Sequence, residues 1–250
     1  YWIPKPFRKV ISVMFELFEN LVSKKFDAVV TATPHINERF LRLGCHSVNV
    51  NNYPILNEFH FSGLDWSSKE HCVCYVGGIS EARGIIQMVN AIGKTNAVLL
   101  LAGQFSPSKM REQIVKLPGW NQIQELGQLN REGVKRTLSK AKAGLVVLHP
   151  IANYVESLPI KMFEYMAAGI PVIASHFPLW KEIVEGNLCG ICVDPMNSDA
   201  IANAIQWIVD HPDEAKRMGE NGRKAVETKY NWEQEANKLV ALYQILIRQN

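Results

Sequence analysis

Residues 156–171 read E-S-L-P-I-K-M-F-E-Y-M-A-A-G-I-P, and this stretch decides the predicted fold. It follows the apolar run Gly144 to Pro150 and precedes a second apolar run, Val172 to Ala174. Pro159 suits the first turn of a helix, where its missing N–H costs nothing, and Gly169 is expected to end that helix. The order strand, loop, helix, strand puts the loop where open α/β sheets bind phosphorylated ligands.

Three charged side chains of this stretch suit a ligand that carries both phosphates and sugar hydroxyls. Lys161 can place a point charge on a phosphate, beside the first amides of the helix, which can face an anion. Glu156 and Glu164 can accept hydrogen bonds from hydroxyl groups. Spacing alone leaves a second interpretation open, in which a surface loop leads into an ordinary amphipathic helix with solvated glutamates.

The same alternation of strand and helix recurs along most of the chain. Strand-like runs separated by helical patterns lie at residues 72–79, 97–102, 123–129, 144–148, 172–175 and 190–194. The run A-V-L-L-L-A, Ala97 to Ala102, is continuously apolar, as expected of a strand that is buried on both faces. The pattern predicts an α/β fold with a doubly wound, parallel, Rossmann-like sheet.

The stretch also resembles a known family signature. Glu156, the seven residues that follow it and Glu164, continued by Y-M-A-A-G-I-P-V-I-A, are similar to the signature of family-four (group 1) retaining glycosyltransferases. These enzymes have the GT-B fold, in which two Rossmann-like domains face each other. The resemblance extends over residues 27–246 and implies that the chain is the C-terminal, donor-binding half with a remnant of the N-terminal domain.

The domain prediction follows from this resemblance. Residues 1–55 are expected to be the remnant of the acceptor-side domain and residues 56–69 the linker. Residues 70–230 are expected to form the nucleotide-sugar-binding domain, and residues 231–250 a helix that crosses back to the first domain. The chain begins at Tyr1 rather than at Met, which suggests a fragment or a processed chain.

The resemblance implies a role for each residue of the site. Glu156 is the expected catalytic residue, which contacts the donor hexose and stabilises charge near the anomeric carbon, while Glu164 binds ribose hydroxyls. Relatives hold the nucleobase near Leu129, largely with backbone groups. The sequence therefore does not predict which nucleobase is bound. The implied donor-binding residues are Gly77, Gly78, Arg83, Leu129, Ser157, Leu158, Ile160, Lys161 and Glu164.

The glycine turn at residues 75–84, Y-V-G-G-I-S-E-A-R-G, departs from the family pattern. The family usually has Arg directly after the first glycine and Lys before the last, whereas Gly78 and Arg83 stand at these positions here. One of the two usual diphosphate cations is therefore missing, and Lys161 is the candidate replacement. From the residues alone, a plain glycine turn with a solvated Arg83 stays an alternative. His149, at the end of another strand, is interpreted as a structural histidine, and Glu182 as a surface residue.

Composition excludes several function classes. The 250 residues have a formal net charge of +3, which is too small to indicate nucleic-acid binding. No apolar run reaches the roughly 18 residues that a membrane span needs, and no signal peptide is recognised, so a cytoplasmic location is expected. The five cysteines are interpreted as small buried apolar residues. No metal or cofactor is expected, because the nucleotide-sugar is a substrate and no acidic cluster suggests a metal site.

Residues Pro4 to Phe26 predict an amphipathic helix with Arg8 and Lys9 near its start. Two interpretations stay open: a helix packed in a domain core, or a helix on a membrane surface. The family resemblance bears on this choice, because many relatives act on lipid-linked acceptors. The second interpretation would add peripheral contact with the inner face of the membrane.

Three functions remain under consideration. The first is transfer of a sugar from a nucleotide-sugar donor to a glycan or lipid-linked acceptor hydroxyl, with retention of configuration, in glycan or cell-envelope polysaccharide synthesis. The second is a nucleotide-sugar-binding module without activity, because the acceptor domain is incomplete and one cation is missing. The third is a sugar-phosphate epimerase of the same two-domain architecture, against which the missing His and acidic constellation argues.

Overall fold

The structure is a computed structural model that describes residues 4–59 and 66–249. It divides into two compact units, one formed by Tyr1–Asn52 with Glu233–Asn250 and the other by Tyr53–Trp232. The predicted linker, residues 56–69, falls partly on residues 60–65, which lie outside the described residues.

Eight strands and eleven α-helices are found in the described part of the chain. The strands are β1 (Val29–Thr31), β2 (Ser47–Asn49), β3 (Cys72–Val76), β4 (Val98–Ala102), β5 (Ile123–Gly127), β6 (Gly144–Val146), β7 (Val172–Ser175) and β8 (Gly190–Val193). The helices are α1 (Lys5–Ser23), α2 (Pro34–Arg42), α3 (Ile85–Ile92), α4 (Met110–Ile114), α5 (Arg131–Lys140), α6 (Ala152–Val155), α7 (Ile160–Ala167), α8 (Pro178–Val184), α9 (Ser198–Asp210), α10 (Pro212–Thr228) and α11 (Trp232–Gln249).

The larger unit is built on a six-stranded parallel sheet with the order β5-β4-β3-β6-β7-β8. The chain adds β4 and β5 on one side of β3 and then returns to add β6, β7 and β8 on the other. The topological switch therefore lies between β3 and β6, beyond whose carboxyl ends open α/β sheets bind their ligands. This sheet confirms the predicted doubly wound α/β fold.

Two hydrophobic layers cover the two faces of this sheet, because successive side chains of a buried strand point to opposite sides. Cys72 and Cys74 of β3 pack in one layer with apolar residues of α5, α7 and α8. Val73 and Tyr75 pack in the other layer, with residues of α3 and α9. Burial on both faces holds β3 and the start of α7 in a fixed relation, which positions the site described below.

The smaller unit contains a parallel pair, β1 with β2, together with α1, α2 and residues of α11. Helix α1 is shorter at both ends than the predicted Pro4–Phe26. Most of its predicted apolar stripe is exposed: Val10 is 58% exposed, Met14 65%, Leu17 58% and Leu21 68%. The predicted packing of this stripe in a core is therefore not found, and the membrane-surface interpretation stays a prediction. None of the described helices is both long and apolar enough to cross a membrane.

Candidate functional site

A cavity of about 250 Å³ opens at the carboxyl ends of β3, β4 and β5. Of the residues predicted from the sequence, Gly77, Gly78 and Leu129 line it. The remaining lining residues are Val76, Ala102, Gly103, Gln104, Gln128 and Val134. The cavity lies beside the topological switch of the sheet, where an α/β fold is expected to bind a ligand.

Gly77 and Gly103 let the backbone approach this cavity closely. Gly77 has φ +137° and Gly103 has φ +147°, conformations that residues with a side chain rarely adopt. A Cβ atom on Gly103 would lie 1.8 Å from the carbonyl oxygen of Gly77, and one on Gly77 would lie 2.9 Å from Nζ of Lys161. The glycine turn after β3 is therefore packed directly against the turn that follows β4 and against Lys161 of α7.

The ammonium group of Lys161 is buried and has no hydrogen-bond partner among the described residues. Its Nζ lies 3.9 Å from the centroid of the Tyr75 ring, so a cation–π contact is its principal polar contact. Burial, with a smaller contribution from the charge of Arg83, lowers the pKa of Lys161 to about 7. Burying a cation without a partner costs free energy. A bound anion would favour the charged form of Lys161.

Arg83 supplies the second positive charge at the glycine turn. Its Nη1 donates a hydrogen bond of 3.2 Å to the carbonyl oxygen of Gly78, which also accepts one of 2.6 Å from the Tyr75 hydroxyl. A hydrogen bond to Tyr154, on the short helix α6, is the main cause that raises the pKa of Arg83. Within the described residues, no carboxylate forms an ion pair with Arg83 or Lys161, and both side chains lie against the glycine turn.

Helix α7 begins without a side-chain cap, because Pro159 occupies the N-cap position. The amides of Ile160 and Lys161 at this helix end are free to face an anion. Ser157 and Leu158 precede the helix: the Ser157 hydroxyl donates to the Tyr154 carbonyl oxygen at 2.8 Å, and Leu158 packs against the core. Trp180 donates to the carbonyl oxygen of Ser157 at 2.7 Å, which anchors the loop before α7.

Glu164 lies one turn further along α7 and is not free. Its side chain is 12% exposed, and its Oε1 accepts a hydrogen bond of 2.6 Å from Nη1 of Arg131. The same guanidinium donates from Nε to Oε2 of Glu58 at 2.9 Å and stacks 4.5 Å from the centroid of the Phe59 ring. Arg131 thus bridges two carboxylates and leaves Oε2 of Glu164 without a hydrogen bond to any described residue.

Glu156 is exposed and follows the last residue of helix α6; its backbone N–H donates to the carbonyl oxygen of Tyr154, while its carboxylate forms no hydrogen bond or ion pair with another described residue. The structure therefore brings Gly77, Gly78, Arg83 and Lys161 together at the glycine turn, and the Glu156 carboxylate takes no part in these contacts.

His149 does not carry a charge into the site. Its Nε2 lies 2.9 Å from Oε1 of Gln87, and its backbone N–H donates to the carbonyl oxygen of Ala82. Burial lowers the pKa of His149, which favours the neutral imidazole. The histidine ties the end of β6 to the glycine turn, as its structural interpretation requires, and Glu182 is an exposed surface residue as predicted.

No group of three His, Cys, Asp or Glu side chains that could hold a metal ion is found in residues 4–59 and 66–249. The five cysteines are free; four are buried and Cys192 is partly buried, in agreement with their interpretation as apolar residues. That the protein needs no metal or cofactor stays a prediction.

A sequence model of the family Glycosyl transferases group 1 matches residues 57–225. The chain belongs to this family. The match confirms the group 1 resemblance drawn from residues 156–174. An uncharacterized glycosyltransferase of Methanocaldococcus jannaschii is 29% identical over 211 residues, which cover 77% of the chain and 53% of that protein. The chain therefore spans about half the length of this curated relative.

Solved structures with this fold include other glycosyltransferases. Sucrose-phosphate synthase from Thermosynechococcus elongatus superposes with a TM-score of 0.78 at 26% identity, covering 94% of the chain and 62% of that protein. Anabaena HepE in complex with UDP superposes with a TM-score of 0.74 at 16% identity, covering 89% of the chain and 65% of that protein. These likenesses agree with the predicted GT-B type of fold.

Sequence reasoning missed several residues of the site in this group 1 glycosyltransferase. Gly103 and Gln104 follow β4, and a glycine directly after a buried strand is a signal that could have indicated them. Arg131 carries no such signal, because its partner Glu164 is 33 residues away and no motif links them. The short helix α6, which brings Tyr154 to Arg83, lies in the stretch for which the sequence predicts a loop.

Proposed function

We propose that this chain is the donor-binding part of an enzyme that transfers a sugar from a nucleoside-diphosphate sugar to an acceptor hydroxyl. The observation that carries the proposal is the buried, unpartnered ammonium of Lys161, which lies against Gly77 and close enough to Arg83 for the two charges to interact. Two cations and the uncapped start of α7 around one glycine turn suit a diphosphate. HepE, which shares the fold, was crystallised with UDP, and this supports the choice of a nucleotide.

The proposed chemistry is electrostatic. As the bond between the anomeric carbon and the diphosphate breaks, negative charge grows on the leaving oxygen, and Lys161, Arg83 and the amides of Ile160 and Gly78 stabilise it. Donors that are already in place act strongly in a site from which water is excluded, because they need no reorganisation during the reaction. Nearby residues complete the donor site: Leu129 borders the nucleobase, and Glu164 receives the ribose hydroxyls.

Retention of configuration is proposed because the Glu156…Glu164 stretch resembles the retaining signature. Glu156 is the proposed catalytic carboxylate, which contacts the donor hexose and the positive charge that develops near the anomeric carbon. Its exposed position, free of partners among the described residues, leaves it available for a hexose that extends from the diphosphate. The proposed acceptor is a glycan or a lipid-linked sugar, and the exposed apolar stripe of α1 supports contact with a membrane surface.

A nucleotide-sugar-binding module without turnover is the second candidate. It is favoured by one observation, the Gly78 that stands where relatives of this family usually carry a diphosphate cation. The two candidates share the binding site and differ in the rate of donor cleavage. Hydrolysis of the donor, measured by release of the nucleoside diphosphate, would favour the enzyme, and binding without hydrolysis or transfer would favour the module.

The test is a thermal-shift titration with UDP, GDP, ADP and dTDP, each alone, with the matched nucleosides as controls. A ligand that binds only the folded state stabilises it by about 2.7 kcal/mol at a hundredfold excess over Kd, and therefore raises Tm. We expect one diphosphate to raise Tm and its nucleoside to do so far less, because the cations recognise phosphate. Equal shifts with diphosphate and nucleoside, or no shift with any diphosphate, would overturn the proposed site.

A further inference from the structure

Lys161 and Glu164 are opposite charges one helical turn apart that do not pair. Side chains three residues apart on a helix are neighbours, with Cβ atoms ~5–6 Å from each other. Elsewhere in the chain such neighbours do pair: Glu132 lies 3.1 Å from Lys135, and Lys181 lies 3.6 Å from Glu185. Yet Nζ of Lys161 has no partner among the described residues, although it is buried and gains most from one.

The carboxylate of Glu164 is instead paired with Arg131. Its Nη1 holds Oε1 of Glu164 at 2.6 Å, and Glu164, at 12% exposure, is mostly shielded from water. Arg131 is itself anchored from the other side, by the Glu58 carboxylate at Nε and by the face of Phe59. The guanidinium is a planar fork that can bind two carboxylates at once, whereas a lysine ammonium is a point charge.

We propose that Arg131 is a positioning residue that keeps the two ligand-binding charges of α7 apart. It leaves the Lys161 ammonium available to a diphosphate and Oε2 of Glu164 available to hydroxyls of the adjoining ribose. The inference rests on the proposed function, because it takes the site to bind a nucleoside diphosphate. Arg131 itself touches neither the leaving group nor the reacting carbon.

The loss of Arg131 has a definite consequence. Glu164 would become a partly buried carboxylate without its counter-ion, one turn from a buried ammonium that also lacks one. Pairing relieves the desolvation cost of both charges, so the site would close into a Lys161–Glu164 ion pair. A nucleotide would then have to break that pair first, and its apparent affinity would fall by the fraction of molecules in which the pair is open.

The test compares Arg131→Met with the double variant Arg131→Met/Glu164→Gln, by calorimetric titration with the nucleoside diphosphate that binds the wild type. Methionine keeps an apolar chain over Phe59 and removes the charge. We expect Arg131→Met to bind the nucleoside diphosphate about tenfold more weakly than the wild type. This is the loss expected when the Lys161–Glu164 pair is broken in only about a tenth of the molecules. The double variant is compared with Glu164→Gln alone, because Glu164 itself is proposed to bind the ribose. We expect the loss of Arg131 to cost little affinity in that background, because glutamine cannot pair with Lys161 as a carboxylate does.

The dependence of the Arg131 effect on Glu164 separates positioning from mere support of the fold. If Arg131 only stabilised the local structure, its removal would cost as much affinity in the Glu164→Gln background as in the wild type. The matched control is Arg111→Met, which breaks the exposed Arg111–Glu125 pair of the same unit, at 2.8 Å, away from the cavity. This control should bind nucleotide as the wild type does.

A second readout needs no ligand. Carbon-13 NMR titration of the lysine side chains, with the Lys161 signal assigned by its absence in Lys161→Met, should give a higher pKa in Arg131→Met than in the wild type. The double variant should return that pKa toward the wild-type value. An unchanged Lys161 pKa with unchanged nucleotide affinity would overturn the role of Arg131 and leave the proposed function intact. A wild type that binds no nucleoside diphosphate would overturn both.

Discussion

A lysine with a buried ammonium group lies near each end of strand β3, and the two lysines differ in their hydrogen bonding. Lys69 lies before the strand and donates to the carbonyl oxygens of Leu138 at 3.4 Å, Ser139 at 3.1 Å and Ala141 at 2.9 Å. Lys161, beyond the carboxyl end of the strand, has no hydrogen-bond partner among the described residues. Burial is the main cause that lowers the pKa of both, to about 8 for Lys69 and about 7 for Lys161.

The difference separates a structural group, Lys69, from Lys161, which is proposed to bind the donor. At the end of α5 the last carbonyl groups lack helical partners, and Lys69 satisfies them, so its cost of burial is offset within the folded chain. At the glycine turn the ammonium of Lys161 has the Tyr75 ring at 3.9 Å but no hydrogen-bond partner among the described residues, so its burial is offset less completely. Burial alone therefore does not mark a functional lysine, whereas burial without a partner does.

The largest effect is expected when the satisfied lysine is removed. Lys69→Met leaves the carbonyl oxygens at the end of α5 without a donor, and we expect the free energy of unfolding to fall by about 3 kcal/mol. Urea denaturation followed by circular dichroism measures this change. Nucleotide affinity should stay at the wild-type value in the folded fraction. An unchanged free energy of unfolding would show that Lys69 does not stabilise the fold through these carbonyl oxygens.

Removal of the unsatisfied lysine should act in the opposite direction. Lys161→Met deletes a buried, unpartnered charge, and we expect the free energy of unfolding of the ligand-free protein to rise by about 2 kcal/mol. The same variant should lose binding of nucleoside diphosphates, which calorimetry would detect. Lower stability together with retained binding would show that Lys161 is an ordinary core residue.

The pH dependence of stability sharpens the comparison. The folded pKa of Lys161, about 7, lies below the unfolded value of 10.5, so the unfolded chain binds more protons between these values and stability rises with pH. From pH about 7 to about 8 the expected gain is about 1 kcal/mol for this one group.

The measurement is urea denaturation of the wild type and of Lys161→Met at a series of pH values in this window. The wild type should gain stability relative to the variant as the pH rises. Parallel curves would mean that Lys161 is not desolvated in the folded protein.

The smallest effect on stability is expected at Glu156, an exposed charge without a partner among the described residues. Glu156→Gln should change the free energy of unfolding by less than about 0.5 kcal/mol, as is usual for surface substitutions. Under the proposed function it should lower turnover and leave nucleotide affinity unchanged. Equal turnover in variant and wild type, measured by transfer or hydrolysis of the donor, would remove Glu156 from the catalytic role.

Much of the framework could be predicted from local sequence. The alternation of apolar strands and helical patterns predicted the parallel sheet, because strand and helix periods are local properties. Gly169, which ends α7 with φ +67°, was recognisable from its residue type alone. Lys161 and Arg83 were recognised as cations near a glycine turn, since residues next to a strand end and a helix start must lie close together.

What could not be predicted depends on residues far apart in the chain. The bridge from Arg131 to Glu164 and Glu58 joins residues that are 33 and 73 positions apart. The lining of the cavity by Gly103 and Gln104 depends on β4 lying beside β3 in the sheet. The surroundings of α1 could not be predicted either, because amphipathic periodicity indicates which face is apolar and not what covers it.

Local sequence is enough to predict the strands of the sheet, the positions of the glycine turn and of α7, and the membership of the group 1 glycosyltransferases. Each of these depends on residues that are consecutive in the chain. Only the tertiary structure decided which charges are satisfied. Lys69 and Lys161 have the same side chain, and they differ in the three carbonyl oxygens that α5 brings to one and not to the other. Whether a charge finds a partner depends on packing between distant segments, and that packing distinguishes the structural lysine from the one proposed to bind the donor.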